Sequence, residues 1–342
     1  MPAVSTPPPA PRRRELARAD RVLPGVWRLR LPLPWPGVPH VNAFAVSTGN
    51  GVVLFDTGLD EPGAVAQLER ALHAAGLRLE HVRLLVCTHA HADHYGLAGP
   101  IVDAAGCELW MHPNHAHATR QARDPDRTLE RRIEVARQSG VPEAALESYR
   151  EARANRGVGV TRALEPDREL VSGVAVETDL GTFEVHETPG HAPSHVVLHE
   201  PKRGLLVSGD HLLGRIALYF DYGHTHDPVG EFLGSLDVVE GLGARLCLAG
   251  HGRAFRDVQA HIEGNRREVA AQLGRVRGAL DDGPRTPFEL VHPLLELEPG
   301  HALNAMTGSF GLNMVLCYLC RLEVLGEARR LEGFEPERWA LA

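Results

Sequence analysis

The amino-acid sequence predicts a mixed α/β (α+β) fold with a helical insertion and a helical C-terminal module. Three observations lead to this prediction. Short apolar runs of strand length recur between turn-forming residues along most of the chain. One stretch in the middle and another at the end instead carry the apolar spacing of helices. The 342 residues and 43% hydrophobic content provide enough apolar material for one large domain and an appendage.

The predicted strands form two groups, one before the insertion and one after it. Five strands precede the insertion, at residues 26–31, 41–47, 52–55, 82–87 and 108–111. Five follow it, at residues 174–178, 183–187, 196–199, 205–208 and 245–249. Helices are predicted over residues 61–75, with Pro62 in the first turn, from about Gly96, and over residues 228–239. This succession predicts one main domain over residues 21–255.

Composition sets three other regions apart. Residues 1–20 hold prolines and arginines without an apolar core, which predicts a disordered leader and not a secretory signal. Residues 113–157 are rich in Arg, Glu and Ala, and we expect an insertion with helices at 128–139 and 142–155 that acts as a lid. Residues 256–342 predict helices at 258–280, 287–295 and 306–325, which we assign to a separate C-terminal module.

Bulk properties restrict the cellular setting and the partners. No apolar run is long enough to cross a bilayer, so no membrane partner is expected. The five cysteines are odd in number and lack disulfide-like spacing, which predicts the reduced cytoplasm. Cys317 and Cys320 form a lone CxxC in an apolar helical setting, and we expect buried thiols there. A net charge of −8 argues against nucleic acid as the main partner.

The most informative segment follows directly after the predicted strand at 82–87. It places His89, His91, Asp93 and His94 within six residues. Imidazole and carboxylate groups together suit divalent first-row metals such as zinc. Because four such side chains on one loop would compete for protons and solvation, we expect a metal ion between them.

Further candidate ligands stand at the ends of other predicted segments. They are Asp56, His191, Asp210 and His251, and most of them lie beside a glycine. Glycine allows the backbone to turn sharply, which can bring side chains from several loops into one cleft. Loops at one edge of a rigid sheet are well suited to hold such a site.

Taken in order, these motifs resemble those of the metallo-β-lactamase superfamily over about residues 21–255. The resemblance implies an αββα sandwich, with two mixed sheets inside, helices outside and the catalytic site at one edge. It implies that one metal ion is held by His89, His91 and His191. It implies that a second ion is held by Asp93, His94 and His251. Asp210 would bridge the two ions, and Asp56 would orient a ligand histidine.

The resemblance also implies the chemistry. Asp93, Asp210 and Asp56 are the implied catalytic carboxylates, and two divalent ions, in the first place Zn²⁺ with Fe or Mn as alternatives, would share one hydroxide. We expect a hydrolase of a small ester, thioester or lactone, similar to glyoxalase II. An endoribonuclease or phosphodiesterase with the same site remains an alternative, as does a metal-binding protein without catalytic activity. Mononuclear iron dioxygenases of this superfamily also stay open, although they do not need all seven ligands.

The C-terminal module carries a second, weaker resemblance. Gly264-Asn265-Arg266-Arg267-Glu268, followed by a long helix and Arg285-Thr286-Pro287, is similar to the winged-helix-like tail of β-lactamase-like endoribonucleases and glyoxalase II-like proteins. Residues 255–342 hold 10 arginines, no lysine and 13 acidic residues, a net charge of −3 that opposes phosphate binding. We therefore expect this module to pack on the core, close the pocket or form a homodimer.

The remaining charged and histidine-rich segments give weaker signals. The insertion at 113–157 holds 9 arginines and 7 acidic residues, and this net charge of +2 is too small to identify an anionic substrate. We expect its histidines, His112, His115 and His117, to be solvated. His195 is expected to shape the pocket, and His224 and His226 lie in a loop where contact with substrate is open.

Overall fold

The computed structural model describes residues 16–35, 37–154, 157–298 and 303–342. Within these ranges two β-sheets lie face to face, and helices cover the outer face of each sheet. The predicted αββα sandwich of two mixed sheets is therefore confirmed. The described helices include none that is both long and apolar enough to cross a membrane.

The first sheet has seven strands whose spatial order follows the chain. Its strands are β1 Arg18–Leu23, β2 Val26–Trp35, β3 Val38–Thr48, β4 Gly51–Phe55, β5 Val82–Val86, β6 Glu108–Met111 and β7 Arg168–Glu169. Strands β1 to β4 pair antiparallel, whereas β4 to β7 pair parallel. The parallel half brings the carboxyl ends of β4 and β5 to the same edge of the sheet.

The second sheet has five strands, and its order reverses the chain. Its strands are β8 Ala175–Thr178, β9 Gly181–Glu187, β10 Val196–Glu200, β11 Leu205–Gly209 and β12 Leu246–Ala249. Only β11 and β12 pair parallel; the other neighbours are antiparallel. The carboxyl ends of β11 and β12 therefore lie at the same edge of this sheet.

The helices divide into those of the sandwich, the insertion and the C-terminal region. The sandwich contains α1 Ala64–Ala74, α2 Ala92–Tyr95, α3 Ala98–Ala105 and α7 Pro228–Gly241, and the insertion contains α4 Ala116–Arg123, α5 Pro125–Gln138 and α6 Glu143–Ala154. The C-terminal region contains α8 Val258–Gly278, α9 Val291–Leu294, α10 Ala305–Val324 and a hairpin of β13 Ala328–Leu331 and β14 Arg338–Leu341.

Side chains of the central strands are buried on both faces. In β4, Val53 and Phe55 face the core between the two sheets, while Val52 and Leu54 belong to the apolar layer beneath α1 and α3. The rings of Phe55 and Phe183 lie 5.4 Å apart between the sheets. Since successive side chains of a strand point to opposite faces, an unbroken apolar run is what a strand covered on both sides requires.

The outer face of the second sheet shares one apolar cluster with α7, α8 and α10. The cluster includes Val197 and Leu206 from the sheet, Leu236 from α7, Ile262 from α8 and Val315 from α10. The C-terminal helices thus pack on the core, as the sequence led us to expect. The winged-helix assignment and the boundary at residue 256 remain predictions.

The structure differs from the sequence prediction at the chain's polar segments. Strand β1 begins inside the predicted disordered leader, so Arg18 and Asp20 belong to the sheet, while residues 1–15 lie outside the described residues. Strand β1 is an edge strand in which Arg18, Asp20 and Arg21 interrupt the apolar residues, so no regular apolar alternation marks it. Helix α4, strand β7 and the β13–β14 hairpin were also not predicted. The five cysteines are free; Cys317 is buried, and Cys320 is partly exposed.

Candidate metal centre

All of the candidate ligands lie at one edge of the sandwich. Asp56 follows β4, and residues 89–94 run from the end of β5 into α2. His191, Asp210 and His251 follow β9, β11 and β12. The structure therefore brings together side chains that are up to 195 residues apart in the sequence (residues 56 and 251).

Three histidines form the first group of candidate ligands. The Nδ1 atom of His91 lies 3.0 Å from Nε2 of His89 and 3.0 Å from Nε2 of His191. Zinc binds imidazole nitrogen at about 2.0–2.1 Å, which places neighbouring tetrahedral ligands roughly 3.3 Å apart. The spacing of the three nitrogen atoms therefore suits a single metal ion.

The second group combines carboxylates and imidazoles. Nε2 of His251 lies 3.3 Å from oxygen atoms of both Asp93 and Asp210. Nε2 of His94 lies 3.3 Å from Asp210 and 3.6 Å from Asp93. Oδ2 of Asp210, the oxygen that faces His251, is also 3.8 Å from Nε2 of His191 in the first group. Asp210 thus lies between the two groups.

Two buried polar atoms at this point have no hydrogen-bond partner among the residues that the structure describes. They are Nε2 of His94 and Oδ1 of Asp210. Buried polar side-chain atoms are ordinarily paired, so this pair indicates that another group belongs between them. A cation would satisfy both atoms, and the imidazole and carboxylate donors fit zinc, iron or manganese. These residues fit two divalent ions.

The pKa values of the candidate ligand histidines differ according to their neighbours. Burial lowers the pKa of His251, but the carboxylates of Asp210 and Asp93 outweigh it and raise that pKa to about 10. Burial also lowers the pKa of His89 well below its ordinary value, and the imidazoles of His94 and His91 lower it further. The carboxylate side of the centre therefore attracts positive charge. In the first group, burial also lowers the pKa of His191, to about 4, whereas Asp221 outweighs burial and raises the pKa of His91.

Each candidate histidine ligand is oriented through its second ring nitrogen. The partners are the hydroxyl of Thr88 at 3.0 Å for His89, Asp221 at 2.9 Å for His91, Asp56 at 2.9 Å for His94, the carbonyl of Tyr219 at 3.0 Å for His191 and the carbonyl of His40 at 2.8 Å for His251. Such partners fix the ring orientation and the tautomer of a metal-binding histidine.

Asp56 acts on the centre through a neighbour. Its carboxylate accepts hydrogen bonds from the backbone N–H of Thr88 at 2.7 Å and from the hydroxyl of Thr88 at 2.9 Å, and it also faces Nδ1 of His94. The backbone of Asp56 has a φ of 61°, an uncommon conformation for a residue other than glycine. Surrounding contacts must maintain this strained turn, which aims the carboxylate at the site.

Gly250 is required by the close approach of two ligand side chains. A Cβ atom at this position would lie 2.3 Å from Oδ1 of Asp210 and 2.7 Å from Cε1 of His94. Any larger residue would displace these groups, so the glycine before His251 serves the packing of the centre.

His195 supports the site from behind. Its Nδ1 atom lies 2.9 Å from the hydroxyl of Thr188, and its Nε2 accepts a hydrogen bond from the backbone N–H of Asp210 at 3.1 Å. His195 is buried, and its expected role in shaping the pocket stays a prediction. Its contact holds the segment that carries Asp210.

Sequence reasoning missed Asp221 and misplaced three histidines. Asp221 also contacts Nδ1 of His117 at 3.0 Å, and Nε2 of His117 lies 2.7 Å from the hydroxyl of Ser194. The expectation of solvated histidines is wrong, because the side chain of His117 is 4% exposed and His112 and His115 are buried. His117 is covered by the loop after β11 that carries Asp221, whereas His112 faces Glu187 and His115 faces Glu165. No local sequence pattern reports such contacts.

Comparison with known proteins supports the family. The model of the metallo-β-lactamase superfamily matches residues 36–251. The chain is 28% identical over 278 residues to the probable metallo-hydrolase YqjP of Bacillus subtilis, covering 78% of this chain and 83% of that protein.

Two solved structures share the architecture. A metallo-β-lactamase family protein from Thermus thermophilus is 30% identical with a TM-score of 0.78, covering 94% of this chain and 100% of that one. A β-lactamase domain protein from Burkholderia ambifaria is 27% identical with a TM-score of 0.82, covering 95% and 94%. The resemblance read from the motifs is confirmed: the chain belongs to the metallo-β-lactamase superfamily, as a hydrolase with clustered candidate metal-binding His and Asp groups.

Proposed function

We propose that the protein is a two-metal hydrolase of small esters, thioesters or lactones, with zinc as the first candidate metal. The observation that carries this proposal is the position of Asp210 between two groups of candidate ligands, with a buried oxygen atom that has no hydrogen-bond partner. A carboxylate in that position suits a bridge between two cations.

Each group of candidate ligands would bind one metal ion. His89, His91 and His191 would hold one ion. Asp93, His94 and His251 would hold the other, and Asp210 would contact both. When bound, the two ions would supply Lewis acidity that activates a water molecule and polarises the carbonyl group of the substrate.

The chain's own residues position these groups. Asp56 and Asp221 each fix the ring of one candidate ligand histidine. His195 holds the backbone of Asp210. Asp93 contacts His94 and His251, and we assign to its carboxylate the transfer of a proton during turnover.

The charge of the C-terminal region favours a small substrate over RNA. Residues 255–342 carry a net charge of −3, which opposes the phosphate backbone of a nucleic acid. The free cysteines favour a cytoplasmic location, which is part of this proposal. A homodimer formed through the C-terminal module remains a prediction.

A substrate panel with and without metal tests the proposal. Acyl-glutathione, acyl-coenzyme A, a lactone, a phosphodiester and RNA are incubated with the purified protein, with chelator-treated protein and with the same protein after zinc is restored. We expect metal-dependent turnover of at least one of the first three substrates. The exposed Asp237, which lies outside the site, provides the control variant Asp237→Ala to compare with Asp210→Ala.

Two outcomes would overturn the proposal. Cleavage of RNA or the phosphodiester, with no turnover of the other three, would make the protein a nuclease or phosphodiesterase. A protein that retains two metal ions and hydrolyses none of the five substrates would be a metal-binding protein without this activity.

A further inference from the structure

A large cavity lies between the insertion and the C-terminal region, next to the candidate metal centre. Its volume is about 970 Å³, and it lies between α5 and α6 on one side and α10 on the other. Asp221 and His117 line its inner end, and both lie close to the ring of His91. A cavity of this size can enclose most of a ligand of a few hundred daltons.

Much of the wall is apolar. Val135 of α5 and Leu146 of α6 form part of one side, and Phe288, Leu312 and Leu316 form part of the other. Such a surface favours an aliphatic or aromatic group, because binding removes apolar surface from water on both sides. The cavity therefore suits the apolar portion of a substrate whose reacting bond lies at the metal centre.

The positive and negative side chains of the insertion lie on different faces of its helices. Six of its arginines line the cavity, but among the described acidic residues of the insertion only Asp124 does. On other faces of the same helices, glutamates pair with Arg137 and Arg150, which do not line the cavity. The small net charge of the segment therefore hides a strongly basic wall.

Three of these arginines have neither an ion pair nor a side-chain hydrogen bond within the part of the chain that the structure describes, whereas Arg132 donates to the amide oxygen of Gln121. They are Arg120, Arg127 and Arg131, whereas Arg123 pairs with Glu165. Arg131 lies beside the loop that carries Asp221, because its Nη2 atom is 4.0 Å from the position that a Cβ of Gly223 would take. A guanidinium group in this setting binds carboxylate or phosphate through paired hydrogen bonds.

We infer that this cavity binds the non-reacting part of the substrate, and that the substrate joins an apolar group to an anionic one, a carboxylate or a phosphate. This inference rests on the proposed hydrolase function. The apolar walls would hold the acyl group, and Arg120, Arg127 and Arg131 would hold the anion. His224, which also lines the cavity, lies on the same loop as Asp221 and faces this end.

A matched set of thioesters tests the anionic requirement. Octanoyl-coenzyme A carries phosphates, octanoyl-glutathione carries carboxylates, and octanoyl-pantetheine carries neither. We expect kcat/KM for at least one anionic thioester to exceed that for the neutral one by about tenfold or more at low salt, and the preferred anion identifies the group. The double variant Arg120→Gln/Arg131→Gln should lose this preference through KM, while Arg137→Gln on the outer face of α5 should keep it.

Chain length and cavity filling test the apolar requirement. Octanoyl-pantetheine should be hydrolysed more efficiently than acetyl-pantetheine, and Ala145→Trp, which fills the cavity from α6, should remove the difference. The neighbouring Ala144 does not line the cavity, so Ala144→Trp is the matched control.

Direct binding provides a readout without turnover. Octyl sulfate, an apolar anion that binds metals weakly, should bind the purified protein in calorimetry more tightly than octyl glucoside. Ala145→Trp and the double arginine variant should each weaken that binding at least fivefold.

The outcomes separate this inference from the proposed function. Metal-dependent hydrolysis of acetyl-pantetheine without any preference for charge or chain length would overturn the inference and leave the hydrolase standing. Absence of all ester, thioester and lactone hydrolysis together with tight, arginine-dependent octyl sulfate binding would contradict the proposed function and support the cavity's assignment.

Discussion

The substitution Asp221→Asn tests the positioning role of a residue that the family motifs do not contain. Oδ2 of Asp221 contacts Nε2 of His91 at 2.9 Å and Nδ1 of His117 at 3.0 Å, and its side chain is only 14% exposed. Burial raises the pKa of Asp221, but His91 and His117 outweigh this effect and hold the pKa well below its ordinary value. Asp221 therefore interacts with His91 as a buried anion.

Asparagine keeps the size of the side chain and removes its charge. A hydrogen bond to a charged group contributes about 1.5–3 kcal/mol, and about 1.4 kcal/mol corresponds to a factor of ten. We therefore expect affinity for the ion at His89, His91 and His191 to fall about 10- to 100-fold. That range agrees with the usual effect of removing a partner that orients a metal-binding histidine.

The assay measures metal content after dialysis against a graded series of chelator concentrations, together with activity. In Asp221→Asn the first ion should be lost at a chelator concentration that leaves the second in place, because His94 is oriented separately by Asp56. The control is Asp227→Asn in the same loop, where the carboxylate caps α7 and pairs with Arg321 at 2.6 Å. An Asp221→Asn protein that keeps both ions and at least a third of the parent activity would refute this reasoning.

Three further substitutions separate the functions of the site, the core and the cavity. Asp210→Ala should remove more than 99% of hydrolytic activity and leave the circular dichroism spectrum unchanged, and activity within a few-fold of the parent would contradict its bridging role. Phe183→Ala, which removes a ring packed 5.4 Å from Phe55, should lower the free energy of unfolding in urea by about 3–5 kcal/mol, whereas a loss below 1 kcal/mol would show that the core between the sheets tolerates the cavity. His224→Ala should change the KM values of the thioester series and leave the metal content unchanged by elemental analysis, and loss of metal would place His224 in the centre.

The central strands could be predicted because burial on both faces requires a continuous run of apolar residues in the sequence. Val52, Val53, Leu54 and Phe55 form an unbroken apolar run, and each residue enters one of the two flanking cores. The edge strand β1 carries no such run, because charged residues interrupt the few apolar side chains, Ala19, Val22 and Leu23, that pack against the cores. Strand prediction therefore succeeded where a whole strand is buried and failed at this partly exposed edge.

The candidate ligands could be found for a different reason. Their spacing follows a family pattern, and each segment of ligands follows the carboxyl end of a strand, so chain order and strand ends together located them. Asp221 and His117 follow neither rule. Their contact depends on how the insertion packs against the loop after β11, and this loop is in turn held by α10, where Asn313 bonds to the carbonyl of Phe220. Such tertiary contacts leave no periodic signal in the sequence.

The charge of the insertion shows the same limit. Counting residues gives a small excess of arginine and suggests no substrate. The cavity emerges only when the helices are placed, because arginines such as Arg120 and Arg131 then line it while Glu134 and Glu147 lie on other faces. Composition gives only the net charge of the segment, whereas the structure shows which face of each helix carries the charged side chains.

Anomalous X-ray diffraction at the absorption edge of the metal identified by elemental analysis tests the central claim most directly. We expect two anomalous peaks about 3.5–4 Å apart, one among His89, His91 and His191 and the other among Asp93, His94 and His251, with Asp210 between them. A fully metal-loaded crystal with a single peak, or with peaks away from these side chains, would contradict the two-metal centre.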